Sequence, residues 1–422
     1  MTVSAELVMD WADALGQVSE EPDVLVRPFG SEAMARAGAL VEGWMRAAGM
    51  SVRLDAIGNV IGRYEGRADG GTLLLGSHFD TVRDAGRYDG PLGLLIAIAC
   101  VRRLHEAGER LPYALEVVGF TDEEGLRFGT TYLASSVFAG AFQPHVLALS
   151  DAGGATLADV IRGLGGAPEA LGAAGRSADD LLGYLEVHIE QGPVLEQLDL
   201  PVGVVTAING QSRVAMAYTG EAGHAGTVPM GGRRDALPAA AELVLAVEAR
   251  ALETEGMVAT VGELAALPGA GNVIPGECRL SLDLRHADDA LRERARDDLR
   301  ARAEEIAERR GLACTWSVRQ EAPAAPADPG LADLLARAVQ DAGVPAKRLP
   351  SGAGHDAAQI AALAPIAMLF VRCRGGISHN PAEAVAVDDV AVALDVTNRF
   401  LTLVAGRGAA KRPVPSRTAT SP

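Results

Sequence analysis

The chain has 422 residues, of which 48% are hydrophobic and 22% charged, and its formal net charge is −17. This composition is ordinary for a globular protein, and the length predicts two domains because one hydrophobic core rarely organises so many residues. The acidic balance argues against nucleic-acid binding, which needs a basic face. It still permits an anionic small-molecule substrate, since bound metal ions can make a site locally positive.

The sequence predicts neither export nor a membrane span. No apolar stretch approaches the roughly 18 residues that a span needs, and the N-terminus lacks the basic-then-apolar pattern of a signal peptide. The four cysteines are isolated, without a C-x-x-C pair. Isolated thiols fit a reducing compartment, so we expect a cytoplasmic protein.

The first half of the chain alternates helical and strand patterns. Apolar residues at helical spacing predict helices in the first 16 residues and over 31–49, and a third, buried helix over 92–104. Strands are expected in a hairpin over 52–64 and at 72–76, 113–121 and 184–190. Alternating strands and helices favour an α/β fold, namely a three-layer catalytic domain with a mainly parallel sheet.

A second unit is predicted to begin near Gly210. From there the order is strand, helix, strand, strand, helix, strand, which predicts a smaller α+β domain of ferredoxin-like type with two helices on one face. The Pro-rich segment 321–329 is expected to be a linker. After it, alternating helices and strands like those of the first domain are predicted again. We therefore expect a catalytic domain over 1–209 and 327–405, an inserted domain over 210–326, and a disordered tail over 406–422.

Histidines and carboxylates recur in settings that suit metal ligands. The chain has 8 histidines, and three of them, His78, His188 and His379, fall in such segments together with Asp89 and the Glu123-Glu124 pair. Three imidazoles and two carboxylates can hold two neighbouring divalent ions when one carboxylate bridges them. Taken singly, each residue has a plainer explanation: a structural histidine, an Asp-Gly turn or a solvated acidic loop. The prediction of a metal site depends on their occurring together.

Two of these segments carry a more specific expectation. Asp80 follows His78 by two residues and can accept the free imidazole N–H, which would fix the ring. Glu123 and Glu124 follow an apolar strand, where adjacent carboxylates need a compensating cation if buried. One of the pair would then bind metal, and the other would act as a general base.

The motifs resemble the carbamoylase and ureidopropionase branch of the dinuclear-metal aminopeptidase-like hydrolases. The resemblance covers about residues 7–405 and is carried by Gly-Ser-His-Phe-Asp-Thr-Val, Thr-Asp-Glu-Glu-Gly-Leu-Arg-Phe, Glu-Val-His-Ile-Glu-Gln-Gly-Pro-Val-Leu-Glu, Gly-His-Ala-Gly-Thr-Val-Pro-Met and Ser-Gly-Ala-Gly-His-Asp-Ala. It implies a two-metal hydrolase that cleaves ureido or carbamoyl C–N bonds, with zinc or manganese, or else cobalt, as the divalent ions.

The resemblance also implies roles for individual residues. His78, Asp89 and His188 would hold one metal, and Asp89, Glu124 and His379 the other. Glu123 would be the general base and His224 would stabilise the oxyanion, while Asp80 counts among the catalytic residues as the group that fixes the ring of His78. Substrate would be bound by His224, Asn272 and Arg285, with weaker candidates in Gln191, Gln211, Gly354 and His355.

The segment 369–379 is most similar to members of the branch that act on allantoate. This implies conversion of allantoate to ureidoglycine, ammonia and CO2 in purine catabolism, by a homodimer formed through the inserted domain, which would also act as a lid. N-carbamoyl-L-amino acids or β-ureidopropionate are the alternative substrates, because the same residues would serve them. A non-catalytic ureide-binding protein is a further alternative, against which the intact Glu123 argues, since a binder needs no base.

Overall fold

A computed structural model of the chain describes residues 3–407, and these form two compact units. Of the described residues, the larger unit takes in those up to Thr206, the segment Ala327–Leu349 and those from His355 onward. The smaller unit consists of Ala207–Pro326 and Pro350–Gly354. None of the helices among the described residues is long and apolar enough to cross a membrane.

Helices and strands alternate along most of the chain. Up to residue 208 they are α1 (Ala5–Gly16), α2 (Glu32–Ala47), β1 (Ser51–Leu54), β2 (Val60–Tyr64), β3 (Thr72–His78), α3 (Pro91–Glu106), β4 (Ala114–Phe120), α4 (Leu133–Phe138), α5 (Leu157–Gly163), β5 (Leu181–Ile189), α6 (Val194–Gln197) and β6 (Val202–Ile208). From residue 210 they are β7 (Gly210–Thr219), β8 (Gly223–His224), α7 (Ala236–Leu252), β9 (Val258–Thr260), β10 (Leu264–Leu267), β11 (Val273–Ile274), β12 (Glu277–His286), α8 (Asp289–Arg310), β13 (Ala313–Ala322), β14 (Ala325–Pro326), α9 (Pro329–Asp341), β15 (Arg348–Ser351), α10 (Asp356–Ile360), β16 (Ile366–Val371) and α11 (Val387–Arg407).

The main sheet has the order β1-β2-β4-β3-β5-β16-β6-β14, and β15 also pairs with β6. Its central strands β4, β3, β5 and β16 are parallel, whereas the outer pairings β1/β2, β2/β4, β16/β6 and β6/β14 are antiparallel. The central strands are almost wholly buried, as expected for parallel strands covered on both faces. The predicted α/β class with a parallel centre is confirmed.

Helix α3 is the element that brings this sheet and the candidate site together. It begins with Pro91 at its first turn, directly after Gly90, and packs against β3 and β5. Gly90 has φ +82°, and a Cβ there would lie 2.4 Å from the His78 ring, so glycine is required. The start of α3 can therefore approach the ends of the strands closely.

The smaller unit is a second sheet with the order β10-β12-β7-β13, to which β9 adds beside β12. All of its pairings are antiparallel, and α7 and α8 pack on the sheet around a core that includes Met216, Leu243, Leu282 and Leu299. This is the ferredoxin-like arrangement predicted from the order of helices and strands.

The structure departs from the predictions in detail. The strand expected at 257–264 is interrupted and becomes β9 and β10, and part of the expected linker over 321–329 is occupied by the end of β13 and by β14. Strand β6, which the sequence reasoning missed, lies antiparallel beside β16. Helix α11 runs to Arg407, and the rest of the predicted tail lies outside the described residues.

Candidate active site

The predicted metal ligands of the larger unit gather at one edge of its main sheet. His78 is the last residue of β3, His188 is the penultimate residue of β5, and Glu124 lies in the loop after β4. His379 follows β16, and Asp89 comes just before α3. Because β3, β4, β5 and β16 are parallel, their carboxyl ends meet at the same edge, where ligands bind in open α/β sheets.

Asp89 lies between two sets of side chains. One carboxylate oxygen, Oδ1, is 3.3 Å from Nε2 of His188, while the other, Oδ2, is 3.1 Å from Nε2 of His379. Nε2 of His188 is in turn 3.5 Å from Nε2 of His78, and Nε2 of His379 is 3.4 Å from Oε1 of Glu124. The donor atoms of His78, Asp89 and His188 are close enough to share one ion, and those of Asp89, Glu124 and His379 another.

The donor set fits divalent metal ions. Nδ1 of His188 faces the carbonyl oxygen of Ile189 at 3.0 Å, and Nδ1 of His78 faces that of Asp80 at 3.3 Å, so each Nδ1 carries the proton. If both rings are neutral, the two Nε2 lone pairs face each other, which is unfavourable unless a metal ion, or a further proton on His78, lies between them. Imidazole and carboxylate together suit zinc, manganese and cobalt.

The pKa values of the buried histidines and of Asp89 are shifted by burial and by the neighbouring charges. Burial opposes protonation of His78, but its hydrogen bond with Asp80 and the charges of nearby carboxylates raise its pKa well above the usual value. Burial likewise opposes ionisation of Asp89, yet the His379 hydrogen bond and the neighbouring imidazoles lower its pKa overall. Burial lowers the pKa of His188 to about 4, which keeps its ring neutral and able to donate a lone pair.

Glu123 is held beside this cluster by Asp80. The carboxylate of Asp80 accepts the backbone N–H groups of Glu123 at 3.0 Å and Glu124 at 3.1 Å, and its Oδ1 is 3.4 Å from Nδ1 of His78. Burial, opposed by His78 and reinforced by the charge of Glu124, raises the pKa of Glu123 well above its usual value. A carboxylate with a raised pKa next to a metal cluster is suited to take and return a proton. Asp80 thus contacts His78, Glu123 and Glu124, which are all predicted site residues.

Two side chains that contact Asp89 give the site a feature not predicted from the sequence. Gln191, expected to bind substrate, donates its amide Nε2 to both oxygens of Asp89 at 3.0 and 2.8 Å. Ser378, which sequence reasoning missed, donates its hydroxyl to Oδ2 of Asp89 at 2.6 Å. Its position beside His379 was the only sequence signal. Both Gln191 and His379 have positive φ, at 56° and 54°, as is common for residues held in special conformations at functional sites.

His355 occupies the interior rather than a surface of the larger unit. Only 1% of it is exposed. Its ring packs edge-on against the rings of His188 and Phe370, with distances of 4.5 Å and 5.8 Å between ring centroids. Burial lowers its pKa well below the usual value. Its observed contacts are therefore those of a neutral ring that supports His188, and Gly354 before it belongs to the smaller unit.

Two of the predicted substrate residues lie side by side in the smaller unit. His224 is in β8, which pairs with β11, and the N–H of Ala225 bonds the carbonyl oxygen of Asn272 at 3.0 Å. His224 and Asn272 are both exposed. Nδ1 of His224 accepts the backbone N–H of Gly226 at 3.0 Å, so the neutral ring carries its proton on Nε2 and can donate a hydrogen bond.

Arg285 and Gln211 lie opposite each other on β12 and β7 of the same unit. Nε of Arg285 donates to Oδ1 of Asp283 at 2.8 Å and its Nη2 donates to Oδ2 at 2.9 Å, while Gln211 donates to the same Oδ2 at 2.7 Å. Nη1 of Arg285 also bonds the carbonyl oxygen of Gly352 at 2.8 Å. Asp283 was not predicted, and it fixes the plane of the guanidinium.

The comparisons with known proteins agree with this geometry. Residues 74–403 match Peptidase family M20/M25/M40. A probable allantoate deiminase from Oryza sativa subsp. japonica is 43% identical over 410 residues, covering 89% of this chain and 84% of that protein. An N-carbamoyl-L-amino acid amidohydrolase from Geobacillus stearothermophilus is 41% identical over 384 residues, covering 90% of this chain and 94% of that protein. A solved hydantoinase/carbamoylase family amidase from Burkholderia multivorans is 32% identical, with a TM-score of 0.89 and coverage of 96% of this chain and 98% of its own.

The fold and the cluster are those of a hydrolase that acts on C–N bonds. The chain belongs to Peptidase family M20/M25/M40. The resemblance to the carbamoylase and ureidopropionase branch is confirmed by these relatives.

Proposed function

We propose that the protein is a two-metal amidohydrolase that converts allantoate to ureidoglycine, ammonia and CO2. The observation that carries the proposal is the position of Asp89, whose two oxygens face His188 and His379 separately. A carboxylate in this position can bridge two cations. The similarity to the probable allantoate deiminase from Oryza sativa subsp. japonica supports the choice of substrate.

His78, Asp89 and His188 would hold one ion, and Asp89, Glu124 and His379 the other. Zinc, manganese and cobalt all suit these donors. When bound, such ions polarise a carbonyl oxygen and lower the pKa of water toward neutrality. This activation matters here because a ureido carbonyl is resonance-stabilised and reacts poorly with water.

Glu123 would move the proton in the reaction. It takes a proton from the attacking water and returns it to the ammonia that leaves, while Asp80 holds its backbone in place. The carbamate left on the substrate nitrogen then loses CO2. His224 would donate its Nε2–H to the oxyanion of the tetrahedral intermediate, in keeping with its acceptor role at Nδ1.

Arg285 and Asn272 would bind the carboxylate of the substrate. The guanidinium of Arg285 is already oriented by Asp283, and a planar fork suits a carboxylate. Gln211, Gln191, Gly354 and His355 are weaker candidates for hydrogen bonds to the ureido group. We further propose that the smaller unit acts as a lid, since it holds Arg285, Asn272, Gln211 and Gly354 and none of the proposed metal ligands.

The second candidate function is hydrolysis of N-carbamoyl-L-amino acids or of β-ureidopropionate. The similarity to the amidohydrolase from Geobacillus stearothermophilus favours it, and each proposed residue would serve these substrates equally. Steady-state kinetics of ammonia release from allantoate, N-carbamoyl amino acids and β-ureidopropionate, each with zinc or manganese, would decide. We expect the highest kcat/KM with allantoate, and the absence of ammonia release from allantoate would refute the first proposal.

We also propose a cytoplasmic homodimer formed through the smaller unit. Its helix α7 exposes Leu237, Leu245 and Leu252 along one side, to 38%, 64% and 82%, which is apolar surface that a second copy would cover. Light scattering with size-exclusion chromatography should give a dimer. The variant Leu245→Glu should shift it to monomer, while Leu54→Glu, at an exposed leucine of β1, should not.

A further inference from the structure

Glu383 lies in the loop that follows the proposed ligand His379, and the proposed reaction does not use it. The residue is 5% exposed. Its Oε1 accepts the backbone N–H of Tyr88 at 2.8 Å and that of Asp89 at 3.2 Å, across 295 and 294 residues of sequence. A buried carboxylate thus holds the backbone of the proposed bridging ligand.

The same device occurs once more in the cluster. Asp80 also accepts two consecutive backbone N–H groups, that of Glu123 on Oδ1 and that of Glu124 on Oδ2, whereas Glu383 accepts those of Tyr88 and Asp89 on the single oxygen Oε1. Asp80 thereby fixes the loop that supplies Glu124. Glu383 likewise bonds two consecutive N–H groups of the loop that supplies Asp89.

The loop that carries Glu383 is itself braced. Oδ1 of Asn380 accepts the N–H of Ala382 at 2.9 Å, and the carbonyl oxygen of Asn380 accepts the N–H of Glu383 at 3.0 Å. This turn sets the spacing between His379 and Glu383. The side chain of His379 is 50% exposed, so burial alone does not hold it.

Gly86 makes the contact sterically possible. A Cβ at Gly86 would lie 2.2 Å from the carboxyl group of Glu383, so even alanine would push this side chain away. Position 86 therefore offers a way to displace Glu383 without changing it.

We propose that Glu383 is a positioning residue for the ion site formed by Asp89, Glu124 and His379. It ties the Asp89 loop to the His379 loop and so sets the 3.1 Å separation between Oδ2 of Asp89 and Nε2 of His379. The site of His78, Asp89 and His188 depends on it less, because both of its histidines are buried and bonded to other groups. The inference depends on the proposed two-metal function.

Calorimetric titration of chelator-stripped protein with Zn²⁺ or Mn²⁺ tests the proposal. Wild type should bind two ions per chain. We assign the weaker binding step to the site of Asp89, Glu124 and His379, and the tighter step to the site of His78, Asp89 and His188. In Glu383→Ala and in Gly86→Ala the weaker step should lose about 10–100-fold in affinity, the usual cost of losing a group that orients a metal ligand. The affinity of the tighter step should change little. Glu383→Gln should stay close to wild type, because the amide oxygen can still accept both N–H groups.

The outcomes separate the inference from the function on which it depends. Unchanged affinities in both alanine variants, an equal loss in both steps, or a Glu383→Gln variant as weak as Glu383→Ala would overturn the role of Glu383. A wild type that binds fewer than two ions would overturn the two-metal function, and the inference with it. Asp328→Ala is the stability control: it removes the side-chain cap of α9, which destabilises the fold, and should keep both binding steps.

Discussion

The two units present their proposed functional side chains in opposite ways. In the larger unit, His78, His188 and Asp89 are 2%, 1% and 5% exposed, and each has further polar partners. In the smaller unit, His224 and Asn272 are exposed on a short two-stranded ribbon. Groups that hold a cation gain from being fixed and dry, whereas groups that meet a substrate must be reachable. Changes in the larger unit should therefore affect metal binding as well as chemistry, whereas changes in the smaller unit should affect substrate or oxyanion binding and leave the metal content unchanged.

The largest effect is expected for Glu123→Gln. The amide cannot accept a proton, so kcat should fall by about 10²–10⁴-fold, the usual contribution of general acid–base catalysis. Metal content, measured by elemental analysis, should remain. Glu190→Gln is the matched control, because Glu190 is another buried carboxylate of the larger unit and its oxygens accept the N–H groups of Val194 and Leu195. Turnover that survives in Glu123→Gln would remove Glu123 from the proposed role.

His224→Ala should lower kcat by about 10²–10³-fold, as expected for loss of an oxyanion donor, and should leave metal content unchanged. Mixed dimers of His224→Ala and Glu123→Gln test whether His224 acts in its own chain or in the partner subunit. If His224 acts in the partner subunit, one of the two active sites holds both an intact Glu123 and an intact His224, and activity returns there. If His224 acts within its own chain, neither site is intact and no activity returns. Normal kcat in His224→Ala would contradict the donor role.

Arg285→Lys should act on substrate binding. Lysine cannot form the fork that pairs with a carboxylate, so KM should rise by roughly 10–100-fold, the equivalent of a charged hydrogen bond, with a smaller change in kcat. Arg213→Lys is the control, since Arg213 contacts the same Asp283 at 3.2 Å. An unchanged KM in Arg285→Lys, measured by ammonia release, would mean that Arg285 does not bind the substrate.

Removing metal should distinguish the units by stability. Chelation should lower the melting temperature by roughly 5–10 °C, since ions that bind only the folded state stabilise it. Hydrogen exchange should show faster exchange of amides in β5, and unchanged exchange in β12. Equal changes in the two strands would mean that the units do not differ in their dependence on metal.

Most of the regular structure could be predicted from local patterns. Helices α3, α7, α8, α9 and α11 and the central strands show their periodicity or continuous apolar runs in the sequence, and their bounds differ by a few residues. Strand β6 and the short helices α4, α5 and α6 were missed. The three helices are too short to show a periodicity, and tertiary contacts decide their form. Strand β6 has 7 residues, as β3 does, so its length does not explain why it was missed.

Some residues of the candidate site could be predicted from the sequence, and others could be found only from the structure. The metal-ligand candidates could be found because histidines and carboxylates stand in recognisable motifs. Ser378 and Glu383 could not, because their roles depend on hydrogen bonds to residues that are distant in sequence. Asp283 stands only two residues from Arg285 on β12, but the sequence does not show that their side chains bond or that Gln211 joins them from β7. Gln191 was predicted, but only the fold reveals that its amide turns toward Asp89.

The uneven exposure of the three histidines has a kinetic consequence. His78 and His188 are enclosed, while half of the His379 side chain is in contact with solvent. An ion held by His379 would exchange with the medium first, and the ion between His78 and His188 would leave last. A chain carrying two ions would thus pass through a singly loaded state, and a change of metal in the medium would replace the outer ion before the inner one.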